Sequence, residues 1–185
     1  MRADVDRWNQ RYARRTGEPL PAPDPVLMGQ SLGESGVALD LGCGRGANTH
    51  YLASLGYDAI GLDCSFEALR QARTFARETK TCFAAVDLDN YALPVARFDL
   101  LVVVKYLNRL LIESIRSAVR PGGLVFYRTF NRGHLQRSPR FNPDYVLAAG
   151  ELHRWFEDFE TIDTDDREEA SLSYLLARRP GLDNA

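Results

Sequence analysis

Five apolar runs of strand length, at residues 37–41, 59–62, 82–86, 100–104 and 124–130, punctuate the chain and alternate with segments of helical period. The intervening helices are predicted at residues 47–55, 66–79 and 107–119. Ser65 supplies an N-cap for the second of these, with Glu67 in its first turn. Ahead of the first strand, residues 4–15 read as an amphipathic helix with Val5, Trp8 and Tyr12 on related faces. Residues 17–25 carry four prolines and must be loop or extended chain. Residues 26–32 suit one or two helical turns. Beyond the fifth strand come a long loop at 131–143, a helix at 144–156 interrupted at Gly150, and two segments, 159–164 and 171–177, that pair antiparallel. Residues 180–185 are expected to fray.

Nearly continuous apolar strands alternating with helices build a parallel sheet covered on both faces. The predicted fold class is therefore α/β, a doubly wound, mostly parallel sheet of seven strands with an antiparallel C-terminal strand. At 185 residues the chain suits a single domain with a substantial core. Residues 1–32 would form an N-terminal helical lid or cap, and residues 33–178 the core.

The turn after the first strand carries the most chemistry. Asp40 ends the apolar run, and Gly42, Gly44 and Gly46 follow at alternate positions before a helix begins. Glycines at a strand-to-helix turn permit backbone angles that other residues resist and let a ligand approach the main chain. A nucleotide-like cofactor at the carboxyl edge of the sheet is the expectation. A dinucleotide is one candidate: Gly42, Gly44 and Ala47 fit the loose G-x-G-x-x-G/A pattern, with Asp63 roughly 20 residues on. In that reading a pyrophosphate sits at the turn, and the carboxylate of Asp40 repels it. S-adenosylmethionine carries an ammonium and a sulfonium and no phosphate, so electrostatics favours it over NAD.

At this point the chain resembles the class I, Rossmann-like, S-adenosylmethionine-dependent methyltransferases. Asp40-x-Gly42-x-Gly44-x-Gly46 resembles their first motif. Gly61-Leu62-Asp63-Cys64-Ser65 resembles the end of their second strand, Val86-Asp87-Leu88-Asp89 the turn after the third, residues 98–104 the fourth strand, and Arg120-Pro121-Gly122-Gly123 the turn into the fifth. The resemblance spans residues 37–178. It implies that Asp40, Gly42, Cys43 and Gly44 hold the methionine end, and that Asp63 clamps the ribose diol through charge-assisted hydrogen bonds. It further implies that Cys64 packs on the adenine, that Asp87 and the Leu88 amide read its edge, and that the Lys105 carbonyl lies near the ammonium. Helix capping or turn formation is the competing reading for Asp63 and Asp87. Trp8-Asn9-Gln10-Arg11-Tyr12 is similar to the opening of the small tellurite-resistance-type and thiopurine-type members, where the first helix covers the cofactor. Here it is either that lid or an aromatic staple.

Composition narrows the class. Hydrophobic residues make up 45% and charged residues 26%, an ordinary globular balance. No apolar run approaches the roughly 18 residues of a membrane span, and the start lacks a secretory core, so a cytoplasmic protein is expected. Cys43, Cys64 and Cys82 lack metal or disulfide spacing and are expected to be reduced; His50, His134 and His153 are dispersed, and no metal site is expected. Net charge is −2 but uneven: residues 97–140 hold nine Lys/Arg against two acids, and residues 157–169 hold eight acids and one Arg. The overall acidity disfavours nucleic acid as a partner.

Methyl transfer from a sulfonium is an in-line displacement with a neutral leaving group, so holding and desolvating the reactants matter most. A base is needed only when the nucleophile carries a proton. The stretch Lys105-Tyr106-Leu107-Asn108-Arg109 departs from the Asn/Asp-Pro-Pro-Tyr pattern of amino-methylating relatives, which disfavours adenine or amide acceptors. Arg128, Arg132, Arg137 and Arg140 suit an anionic acceptor or else pair with the acids at 157–169. No catalytic residue is assigned; Tyr106, Arg128 and His134 are positional candidates for substrate contact. The expected function is methyl transfer to a small molecule, anionic on one reading of the arginines. The alternatives are a non-catalytic S-adenosylmethionine-binding sensor or partner, an RNA or protein methyltransferase, and, less favoured, an NAD oxidoreductase.

Overall fold

The computed structural model describes residues 2–76 and 80–181. The chain divides into two compact units, residues 1–92 and 93–185. The first contains helix α1 (Arg2–Ala13), the short helix α2 (Pro25–Met28), strand β1 (Gly36–Leu41), helix α3 (Ala47–Ser54), strand β2 (Tyr57–Asp63), helix α4 (Phe66–Thr74) and strand β3 (Thr81–Ala85). Its strands run parallel in the order β3-β2-β1, with Asp40 level with Gly61 and Asp63 level with Ala85. Ala38, Leu39 and Leu41 of β1 are fully buried, as unbroken apolar character predicts. Asp24 caps α2 by accepting from the amides of Val26 and Leu27, and Pro25 sits at the first helical position. Ser65 caps α4 as expected, its hydroxyl accepting from Ala68 N at 3.1 Å.

The second unit contains strand β4 (Phe98–Val104), helix α5 (Ile112–Ala118), strand β5 (Val119–Phe130), helices α6 (Arg132–Arg137) and α7 (Glu151–Trp155), and strands β6 (Glu160–Asp165) and β7 (Leu172–Arg178). Their order is β4-β5-β7-β6. β5 runs parallel to β4, and β7 runs antiparallel to both β5 and β6. Phe126, Tyr127, Leu100, Leu101 and Leu175 are among its fully buried large side chains. The seven strands, mostly parallel with an antiparallel C-terminal pair and flanked by helices, are the Rossmann-like fold class expected.

Several helix boundaries differ from expectation. α4 stops at Thr74, whose hydroxyl bonds back to the Gln71 carbonyl at 2.7 Å; the predicted end at residue 79 lies outside the described residues. The helix expected at 107–119 opens as a 3-10 turn, Arg109–Leu111, capped by the Asn108 side chain on Leu110 N. The predicted loop at 131–143 holds α6. The helix expected at 144–156 is reduced to a 3-10 turn (Pro143–Tyr145) and α7. Gly150, at φ 69°, sits outside helical geometry and starts α7. Arg109 explains the missing turns: it ion-pairs with Glu151 at 2.7 Å and donates to the carbonyls of Asp144 and Val146, which are thereby taken from helical bonding. The fraying expected at 180–185 falls mostly on residues outside those described. No described helix is long and apolar enough to cross a membrane.

Candidate functional site

In the first unit, the ends of β1 and β2 bring the glycine turn and Asp63 together. Gly42, Gly44 and Gly46 have φ of 74°, 54° and 79°, all in the left-handed region that side chains disfavour. Two successive amides, Gly42 N and Cys43 N, donate to the Leu62 carbonyl at 2.8 and 3.0 Å, tying the turn to the end of β2. Asp63 completes the link. One carboxylate oxygen accepts from Gly44 N and the other from Ser65 N, both at 2.8 Å. Burial pushes its carboxyl up from the ordinary value, opposed by the amides of Ser65, Gly44 and Cys64. The Gly44 and Ser65 amides thus take one carboxylate oxygen each.

Asp40 faces inward. It is 1% exposed and accepts from the Thr49 hydroxyl at 2.6 Å, so it braces the turn against α3 from behind. Burial raises its carboxyl from 3.8 to about 7, against the opposing bonds from Thr49. A carboxyl near 7 is fully charged only above neutrality, so it excludes a pyrophosphate less strongly than an ionised carboxylate would. The raised value has a consequence for stability. Its contribution is fully present below pH about 3.8 and is lost as pH climbs through about 7. Asp40→Asn should therefore raise the melting temperature at pH about 8, by the equivalent of about 4 kcal/mol, with the gap narrowing toward pH about 5. Thermal unfolding across that range checks it.

Tyr12 roofs the turn. A Cβ added to Gly44 would lie 2.6 Å from the Tyr12 hydroxyl, so the phenol lies directly against the bare backbone. Burial, followed by the charges of Asp63 and Cys43, raises the tyrosine's pKa. Trp8 stacks on Tyr12 with centroids 6.0 Å apart. The N-terminal segment is held at several points: Asn9 Oδ1 accepts from Ser65 Oγ and Glu67 N, Gln71 donates to the Tyr12 carbonyl at 2.8 Å, and Arg45 donates to the Glu18 carbonyl at 2.5 Å. Arg45 is 4% exposed, and its role went unseen in the sequence because its partner, the carbonyl and carboxylate of Glu18, is 27 residues away.

The remaining first-unit candidates divide. Cys43 packs against the cluster of Leu69, Ala72 and Phe83, and burial pushes its thiol well up. Cys64 is half-buried, and burial pushes its thiol up to about 11. Asp87 folds onto its own turn, accepting from Asp89 N at 3.2 Å and from the Asn90 side chain at 2.8 Å. Leu88 beside it is buried. No cluster of His, Cys, Asp and Glu suited to a metal occurs among the described residues.

In the second unit, the parallel strands β4 and β5 end on one edge. Lys105, just past β4, is exposed and has φ of 56°, a strained position for a non-glycine residue; its amide donates to the Arg128 carbonyl at 2.8 Å. Tyr106 is half-buried, and its carbonyl accepts from the buried Tyr127 hydroxyl at 3.2 Å. Arg128 is half-buried on β5 between Val104 and Tyr174. His134 lies in α6 beside Phe130. The arginine group is not one device: Arg137 donates to the Glu169 carbonyl at 2.7 Å, while Arg132 and Arg140 are exposed and make no ion pair among the described residues. The acids at 157–169 find other partners, Asp158 on Arg116 and Asp165 on Arg167.

Comparison with known proteins adds an independent line. Residues 38–123 match the model of a methyltransferase domain family. The chain is 35% identical over 134 residues to malonyl-[acyl-carrier protein] O-methyltransferase of Pseudescherichia vulneris, covering 69% of this chain and 51% of that protein. It is 26% identical to 2-heptyl-1-hydroxyquinolin-4(1H)-one methyltransferase of Mycobacteroides abscessus, covering 85% and 78% respectively. The chain thus spans about half the length of the first relative. Among solved structures, the DhpI–SAH complex is similar with a TM-score of 0.74 at 21% identity, over 98% of this chain and 97% of that one, a likeness of fold.

Proposed function

We propose that the chain is a member of the class I, Rossmann-like, S-adenosylmethionine-dependent methyltransferases, and that it transfers a methyl group from S-adenosylmethionine to an oxygen of a small-molecule acceptor. The observation that carries this is the left-handed glycine turn tied to Asp63 through Gly44 N. Backbone bare of side chains, flanked by a buried carboxylate, fits a ligand that offers a hydroxylated ribose and an uncharged sugar link.

The roles follow from that fit. Gly42 and Gly44 would cradle the methionine end, with Asp40 fixing the turn from behind. Asp63 would accept from the ribose hydroxyls. Cys64, Asp87 and the Leu88 amide are proposed at the adenine, and the Lys105 carbonyl at the ammonium, on the family pattern. S-adenosylmethionine supplies a methyl made electrophilic by the sulfonium, whose thioether leaves uncharged. The protein's part is to position, exclude water and, for a hydroxyl acceptor, remove a proton. The names of the relatives support an oxygen acceptor, and exposed Arg132 and Arg140 support an anionic one. We propose one catalytic domain over the chain, capped by residues 1–32.

Methyl-labelled S-adenosylmethionine, incubated with small hydroxy compounds with and without a carboxylate, tests this. Label on an acceptor oxygen is expected; label on nitrogen only, or none, contradicts it. As a lid, Tyr12 should matter to the ligand more than to the fold. Tyr12→Ala is expected to weaken cofactor affinity about tenfold, the loss of one well-placed contact, with little change in melting temperature. Unchanged affinity with a large drop in melting temperature would make Tyr12 a staple instead.

A further inference from the structure

The period of two along a strand puts Asp40, Gly61 and Asp63 on one face of the sheet. Asp40 is level with Gly61 across the β1–β2 pair, and Asp63 lies two residues further on. Gly61 leaves the space beside the acids to other groups: a Cβ there would meet the Phe83 ring at 2.7 Å and Cys43 Sγ at 2.8 Å. Both acids are buried, and neither makes an ion pair among the described residues. Arg45, the buried cation of the same turn, pairs with Glu18 and lies over the Phe75 ring instead. Two carboxylates in such surroundings, with no cation between them, do not both ionise readily.

The two acids are not equivalent. Asp63 accepts from two backbone amides, Gly44 N and Ser65 N, and such bonds favour its charged form. Asp40 has only Thr49 of α3, whose hydroxyl donates at 2.6 Å and whose amide assists. Burial, and then the charge of Asp63 on β2, favour its protonated form against those bonds. The Cys43 thiol in the turn is kept neutral by burial, then by Asp40 and Asp63. Tyr12 of α1 is likewise kept neutral by burial, then by Asp63 and Cys43. The groups around this face thus place the negative charge on Asp63 and the proton on Asp40.

We infer that Asp40 holds a proton in the free protein and yields it to solvent when the positive charge of S-adenosylmethionine arrives, so that the turn distinguishes the charged methyl donor from its product. The inference rests on the cofactor reading above and deepens it. Donor and product, S-adenosylhomocysteine, share an ammonium and a carboxylate; the donor alone adds a sulfonium. A second positive charge over the turn compensates a second carboxylate beneath it. Asp40 therefore ionises with the donor bound and takes a proton back from solvent once methyl transfer has removed that charge. The hold on the product is weaker, which favours its release. Asp40 acts here as a positioning residue through charge; it need not touch the reacting atoms.

Titration calorimetry of the full chain at pH about 6.5, in two buffers of different ionisation enthalpy, reads the proton directly. S-adenosylmethionine is expected to release about half a proton per site, and S-adenosylhomocysteine much less. Asp40→Asn should abolish the release. The ratio of the two affinities is a second readout, taken between pH about 5.5 and about 7, below the range where the cofactors' amines titrate. In the wild type the preference for the donor should grow about fourfold over that range. That is what a tenfold difference in the dissociation constant of Asp40 between the two complexes gives. In Asp40→Asn the ratio should stay flat. Thr49→Val keeps the acid but removes a bond to its charged form, so the rise should move to higher pH. A wild type that releases no proton, a release that Asp40→Asn retains, a ratio flat in the wild type or a rise that Thr49→Val leaves unmoved overturns the inference and leaves the methyltransferase reading standing. Failure of the wild type to bind either cofactor sinks that reading, and the inference with it.

Discussion

Asp63→Ala lowers affinity for S-adenosylmethionine by about 100-fold or more, the largest single loss expected at the site. Two charge-assisted hydrogen bonds to a diol are worth about 3 kcal/mol together, and alanine makes neither. The same change strips the amides of Gly44 and Ser65 of their acceptor. The turn loses its tie to β2, and stability falls by about 2 kcal/mol. Asp87→Ala is the informative contrast: Asp87 spends its oxygens on Asp89 N and the Asn90 amide, so its loss should cost much less affinity. Titration calorimetry on both variants, with melting temperatures alongside, checks the pair. Equal losses would mean that Asp63 is only a turn-forming residue.

Arg109→Ala destabilises the second unit by about 3 kcal/mol, through the partners it abandons rather than through exposed charge. Glu151 is 8% exposed and would be left without its bidentate cation, and the carbonyls of Asp144 and Val146 would lose their donor. Burial works to raise the Glu151 carboxyl, but Arg109 and the Ala148 amide outweigh it and hold the carboxyl below 4.5. A depressed carboxyl contributes stability that is present above about 4.5 and lost as pH falls through its folded value. The gap between wild type and Arg109→Ala should accordingly shrink in acid. Urea unfolding at neutral and acidic pH measures it. A pH-independent gap would assign the loss to packing of the arginine's stem.

The strands were legible because each is an apolar run bounded by turn residues, and burial on both faces writes that pattern directly. Gly42, Gly44 and Gly46 were legible for a related reason: all three occupy left-handed backbone that other residues disfavour. The stretch from 131 to 156 was not. Its α6 depends on Asn131 reaching Arg167 and Ser173, and its lost helical turns depend on Arg109, 42 residues from Glu151. Periodicity carries no trace of such long-range polar ties. The site shows the same division. Asp63 and the turn could be placed from spacing. The inward rotation of Asp40 onto Thr49, the clamp of Arg45 on Glu18 and the closing of Asp87 on Asn90 required the fold.

The most direct test of the central claim is calorimetric titration of the full chain with S-adenosylmethionine, S-adenosylhomocysteine and NAD. Binding of the first two with dissociation constants of about micromolar, near −8 kcal/mol, and no heat from NAD are expected. Binding of NAD alone would contradict the account.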